Sequence, residues 1–155
     1  MLLREWAAKK YPQFHLMEQV RLGPTSATLN GVLVSPALQA MLRVNNWYSD
    51  GAIILPNELL IIESKMRPDP RAVGQVLFYM RLSMSTPELQ SAMALPARPV
   101  VLFSEDDPEV NQFARTWGCR VEVYTPAWIE DYLTQVQFRA RPHVQRAASM
   151  EPAAS

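Results

Sequence analysis

Residues 59–65 read LLIIESK, from Leu59 to Lys65. Four consecutive apolar residues suit a strand buried on both faces. A carboxylate and an ammonium follow at once, and burying such charges is costly unless they are paired or bound to a metal. The question this stretch raises is what holds Glu63 and Lys65 at the end of a core strand.

The preceding strand supplies an answer. Residues 47–55 and 58–66 both read as strands, separated by Pro56-Asn57, a strong turn signal. A loop centred there pairs residues whose numbers sum to 113, so Ile53 faces Leu60 and Asp50 faces Glu63. Directly opposed residues in an antiparallel pair hold their Cβ atoms roughly 4.5–5.5 Å apart, and like charges there repel. Lys65, two residues past Glu63, projects from the same face, with Tyr48 opposite it. Two carboxylates so placed can hold a hard divalent cation such as Mg²⁺, which prefers oxygen ligands. A lysine beside them can orient an attacking water or stabilise charge developing on a phosphate. By spacing alone, a solvated Asp–Lys–Glu cluster at strand ends accounts for the same residues.

Around this hairpin the helix starts are legible. A capping residue followed by proline occurs at Ser35-Pro36, Asp69-Pro70, Thr86-Pro87, Asp107-Pro108 and Thr125-Pro126. These predict helices near 36–43, 70–84, 87–94, 108–117 and 126–138, with Gly118 as a C-cap and a further helix over 2–10. Strands are expected at 14–22, 98–104 and 120–124 besides the hairpin, and residues 23–35 read as a loop or weak hairpin. The element order predicts an α/β (α+β) domain over residues 1–138 with a central mixed sheet flanked by helices. Residues 139–155, RARPHVQRAASMEPAAS after Phe138, lack an apolar period and read as a flexible polar tail.

Bulk composition sets further bounds. The 155 residues, 48% hydrophobic and 19% charged, suit one soluble domain. No apolar run approaches the roughly twenty residues of a membrane span, and MLLREWAAKKYP makes a poor signal peptide. A cytoplasmic location is expected, or a virion-associated one if the chain is phage-encoded. The single cysteine, Cys119, excludes an intramolecular disulfide framework and a cysteine-based zinc or iron–sulfur site. Net charge is zero, so there is no global basic signature. Arginine nevertheless outnumbers lysine twelve to three, and its planar fork suits phosphate contacts; a compositional bias of the coding sequence explains the same ratio.

At this point the chain resembles the PD-(D/E)XK nuclease superfamily, the restriction-endonuclease-like fold. Its core motif, an Asp, a hairpin, then Glu/Asp-x-Lys, is matched by SDGAIILPNELLIIESK through Asp50, Glu63 and Lys65, with Ser49 where a proline is usual. A second match, GQVLFY, resembles the Gln-x-x-x-Tyr signature of the RecB-like branch through Gln75 and Tyr79, four apart on one helical face. Helix packing is the plain alternative for that pair. The resemblance covers roughly residues 1–124.

It implies a Mg²⁺-dependent deoxyribonuclease, with Mn²⁺ able to substitute. Asp50, Glu63 and the Ser64 carbonyl would bind the metal, and Lys65 would position or activate water. Gln75 and Tyr79 would line the site or contact DNA, with Arg67 and Arg71 as further nucleic-acid contacts. An additional acidic residue is expected from Glu18 or Glu5, both candidates. His15 is the only histidine upstream of Asp50, and its spacing does not match the branch's usual histidine. Trp47 and Tyr48 suit packing or stacking on a base. Neutral charge and small size point to a homo-oligomer or protein partner that completes the DNA-binding surface. The competing expectation is the same fold serving, without catalysis, as a structural or DNA-contacting component of a larger assembly such as a phage particle.

Overall fold

The computed structural model describes residues 1–23, 28–29, 32–33 and 47–139. The predicted helix at 36–43, its Ser35-Pro36 start and the tail beyond 139 lie outside them. Residues Met1–Tyr124 form one compact unit, and a second begins at Thr125. No helix among the described residues is long and apolar enough to cross a membrane.

The first unit is built on a five-stranded mixed sheet. Its strands are β1 (Leu16–Leu22), β4 (Trp47–Ile54), β5 (Leu59–Lys65), β6 (Ala97–Phe103) and β7 (Arg120–Val123), adjacent in that order. β1, β4 and β5 pair antiparallel, whereas β5, β6 and β7 run parallel. Thr28–Leu29 (β2) and Val32–Leu33 (β3) pair as a separate short hairpin. Helices α1 (Leu2–Lys10), α2 (Pro70–Ser83) and α3 (Pro108–Thr116) flank the sheet. The expected α/β class with a mixed, helix-flanked sheet is what the chain forms.

β5 is central because its sequence tolerates neighbours on every side. Leu59, Leu60, Ile61 and Ile62 are all buried, each contributing about 2 kcal/mol of hydrophobic stabilisation. Leu59 and Ile61 pack with Ala72, Val73 and Val76 of α2. Ile62 pairs with Gly51, against which Leu3 of α1 closes on the opposite face. A Cβ at Gly51 would come within 2.9 Å of Leu3 Cδ2, so glycine is what lets α1 approach.

Helix boundaries follow the capping chemistry. Asp69 accepts from the Arg71 N–H, and Asp107 accepts from Glu109 and Val110 N–H. α3 ends in a Schellman turn: Gly118, at φ +77°, donates to Arg115 O while Cys119 donates to Ala114 O. Two predicted starts work differently. Thr86 caps nothing, because its hydroxyl donates to Leu82 O and accepts from Gly23 N–H, and a 3₁₀ helix over Pro87–Ala92 follows. In the second unit, α4 spans Ile129–Arg139 rather than starting at 126, since Ile129 N–H closes a tight turn onto Pro126 O.

Candidate active site

The hairpin register is the one that brings Asp50 to Glu63. Gly51 pairs with Ile62, Ala52 with Ile61, Ile53 with Leu60 and Ile54 with Leu59, each pair summing to 113. The ladder stops there, one pair short of Asp50 and Glu63, and so does not extend to the expected Tyr48–Lys65 pair. In its place the Asp50 side chain bonds to β5: Oδ2 accepts from the Ser64 N–H at 2.8 Å and from the Ser64 hydroxyl at 2.9 Å.

Where the ladder ends, both β1 and β4 change face. On β1, Met17 packs in the core beneath α2, yet so do Val20 and Leu22, whereas regular alternation would place Met17 with Gln19. Gln19, at φ +51°, is where the switch occurs. On β4, Ala52 and Ile54 face the α2 core, but the Trp47 ring also reaches α2, touching Phe78 and Tyr79. Asp50 sits at that switch, between the Glu18–Gly51 and Val20–Ser49 pairs, where Gln19 and Asp50 are left out of the ladder. A twisted, locally unpaired strand is how sheets commonly re-aim a side chain near a site.

On β5, Glu63 is 3% exposed, and Lys65 Nζ donates to its Oε1 at 2.6 Å. Burial pushes the Glu63 carboxyl above its usual range and the Asp50 charge adds to this, against the lowering effect of Lys65. Burial pulls the Lys65 ammonium down, but the Glu63 hydrogen bond and the Glu63 and Asp50 charges outweigh it, leaving its pKa raised. Tyr79 of α2 closes the group. Burial first, then the Glu63 and Asp50 charges, hold its hydroxyl above the ordinary phenol value.

Asp50, Glu63, Ser64 and Lys65 are therefore brought together by hydrogen bonds, with Tyr79 within range of their charges. Gln75, one turn before Tyr79, is half-buried and forms no hydrogen bond with the group. Glu18 lies opposite Gly51 and turns toward α1, where Arg4 Nε donates to it at 2.7 Å. Glu5 is half-buried on α1, while Tyr48 is exposed and pairs in register with Arg21. Arg67 is exposed just beyond β5, and Arg71 is tied to Asp69 at 2.8 Å. His15 is exposed before β1.

The donor set fits a hard cation. Glu63 is a buried carboxylate whose charge, among the described residues, is offset by Lys65, and a second carboxylate stands beside it. Both Ser64 bonds use Asp50 Oδ2 and the Lys65 bond uses Glu63 Oε1, so Oδ1 and Oε2 take part in neither. A strand residue directs its N–H and C=O to the same side, so the Ser64 carbonyl also points toward β4, past the last ladder pair. Among the described residues no third Asp, Glu, His or Cys joins this pair as a ligand group. Beside the group lies an exposed aromatic surface, where Trp47, read from the sequence as packing or base-stacking, and Phe78, which that reading did not single out, meet edge-to-face at 5.2 Å. The chain matches no protein-family model and no curated protein.

Proposed function

We propose that the chain is a metal-dependent nuclease hydrolysing DNA phosphodiester bonds at Asp50, Glu63 and Lys65. The observation that carries this reading is the buried Glu63 carboxylate, held beside Asp50 and bonded to Lys65 at 2.6 Å. Such an arrangement costs folding energy and is expected where a cation and a phosphate are to be met. Asp50, Glu63 and the Ser64 carbonyl would hold Mg²⁺, or Mn²⁺ in its place, which supplies Lewis-acid activation of water and of the phosphoryl oxygen.

The protein's own groups do the remaining work. Asp50 is fixed in one orientation by the paired Ser64 donors, so its other oxygen is aimed without further ordering cost. Lys65, kept as an ammonium, orients water and stabilises the extra negative charge as water adds to phosphorus and the ester P–O bond breaks. It is a poor base in this setting, because its pKa is raised. Tyr79 caps the group from α2, and Gln75 sits one turn away to meet substrate.

Purified protein is expected to cut DNA in Mg²⁺ or Mn²⁺ and to stop in a chelator. Lys65→Ala should retain the fold and lose cutting by several orders of magnitude. Equal cutting by wild type and Lys65→Ala would remove the catalytic assignment, and DNA binding without any cutting would favour the non-catalytic role.

A further inference from the structure

The solvent face of α2 carries Arg71, Gly74, Phe78 and Arg81, all exposed and spaced three, four and three residues apart. That spacing sets them on one stripe of the helix. Phe78 is 44% exposed and Trp47 53% exposed, and the two rings meet edge-to-face at 5.2 Å instead of being covered. The Tyr79 ring lies 6.5 Å from each of them, centroid to centroid, and its hydroxyl feels the Glu63 and Asp50 charges, so the aromatic surface lies beside the carboxylates.

Gly74 adds an independent observation. A glycine inside a helix costs about 1 kcal/mol relative to alanine. Here a Cβ would meet nothing within 4 Å, so packing among the described residues gives no reason for the residue. A bare backbone between a guanidinium and an exposed ring is a place for close approach by a ligand.

We propose that this ridge binds single-stranded DNA, with one or two unstacked bases against Trp47 and Phe78. The strand's phosphates would run past Gly74 between Arg71 and Arg81, delivering the next phosphodiester to Lys65. A paired duplex keeps its bases stacked inside and cannot present their faces to Trp47, whereas every base of a single strand can. Exposed aromatics with flanking arginines are the chemistry that recognises such a strand. The proposal rests on the nuclease reading for the direction of the strand, but its binding surface is separable from catalysis.

The test is binding in EDTA, where no cutting occurs. A fluorescein-labelled oligothymidylate of about twelve nucleotides, within the span such grooves cover, is titrated by anisotropy beside a duplex of equal length. The single strand should bind at least about tenfold more tightly, and Trp47→Ala and Phe78→Ala should each weaken it about tenfold. Gly74→Ala should raise the melting temperature and still weaken binding, a combination that loss of fold cannot produce. Equal affinity for duplex and single strand, or unchanged binding in the aromatic variants, would overturn the proposal. Metal-dependent cutting surviving that outcome would leave the nuclease reading standing. Selective single-strand binding without any cutting would instead remove the nuclease reading alone.

Discussion

Asp50 holds the end of β5 with its side chain: one carboxylate oxygen accepts both the N–H and the hydroxyl of Ser64. It thereby does the work of the ladder pair that would have followed Gly51–Ile62. Replacement by asparagine keeps an oxygen acceptor for the Ser64 donors and removes only the charge. Asp50→Asn should therefore unfold close to wild type. Asp50→Ala leaves the Ser64 N–H without its partner, at a cost of about 1–3 kcal/mol. Urea denaturation of the two variants checks this, and both should be inactive as nucleases.

Gly51, the next residue, is set by the approach of α1. A Cβ there would lie 2.9 Å from Leu3 Cδ2, 3.1 Å from Leu16 Cδ1 and 3.3 Å from the Met17 carbonyl oxygen. Gly51→Ala should cost about 1–3 kcal/mol through overpacking. Leu3→Ala removes the nearest of these atoms. The double variant should then lose less stability than the two single losses added, and a double-mutant cycle by denaturation measures that coupling.

Much of this was legible in the residues themselves. Pro56-Asn57 centred the hairpin and fixed the register, which is why Asp50 could be placed against Glu63 from spacing alone. The proline-led caps Asp69 and Asp107 marked α2 and α3 because their side chains bond locally to the backbone. What did not show was set by contacts distant in sequence. Thr86 abandons its cap for Gly23, and the β4–β5 ladder stops at Gly51–Ile62, beside the left-handed Gln19 of β1. Glu18, a candidate site acid by its sequence, pairs with Arg4 fourteen residues upstream, a contact its spacing does not reveal. The stripe of Arg71, Gly74, Phe78 and Arg81 was not read from the sequence, and the exposure of Phe78 is what distinguishes it from a packing face.

Cys119 follows the Schellman turn of α3 and is 4% exposed. Burial pushes its thiol up to about 11, so at pH 8 only about one molecule in a thousand carries the reactive thiolate. Iodoacetamide at that pH should leave the native protein unmodified over a time that fully alkylates a free thiol. In denaturant the same reagent should label Cys119 completely, as intact-mass measurement would show.

Glu63 should make the metal-free protein less stable than it could be. Its folded pKa lies above the ordinary 4.5, burial being the chief cause. The unfolded carboxyl therefore ionises more readily than the folded one. Above the folded pKa this residue subtracts from stability, and that cost fades as pH falls through the folded pKa toward 4.5. Glu63→Gln keeps an oxygen to accept from Lys65 and discards the buried charge. In EDTA at pH 8 it should melt above wild type, and the gap should close as pH approaches 5. Mg²⁺ should reverse the order, since a cation bound only by the folded wild type at a hundredfold excess over its Kd adds about 2.7 kcal/mol. Thermal melts of both proteins across pH, with and without Mg²⁺, provide the check. A variant that melts below wild type in EDTA would mean that the Glu63–Lys65 pair serves structure instead of chemistry.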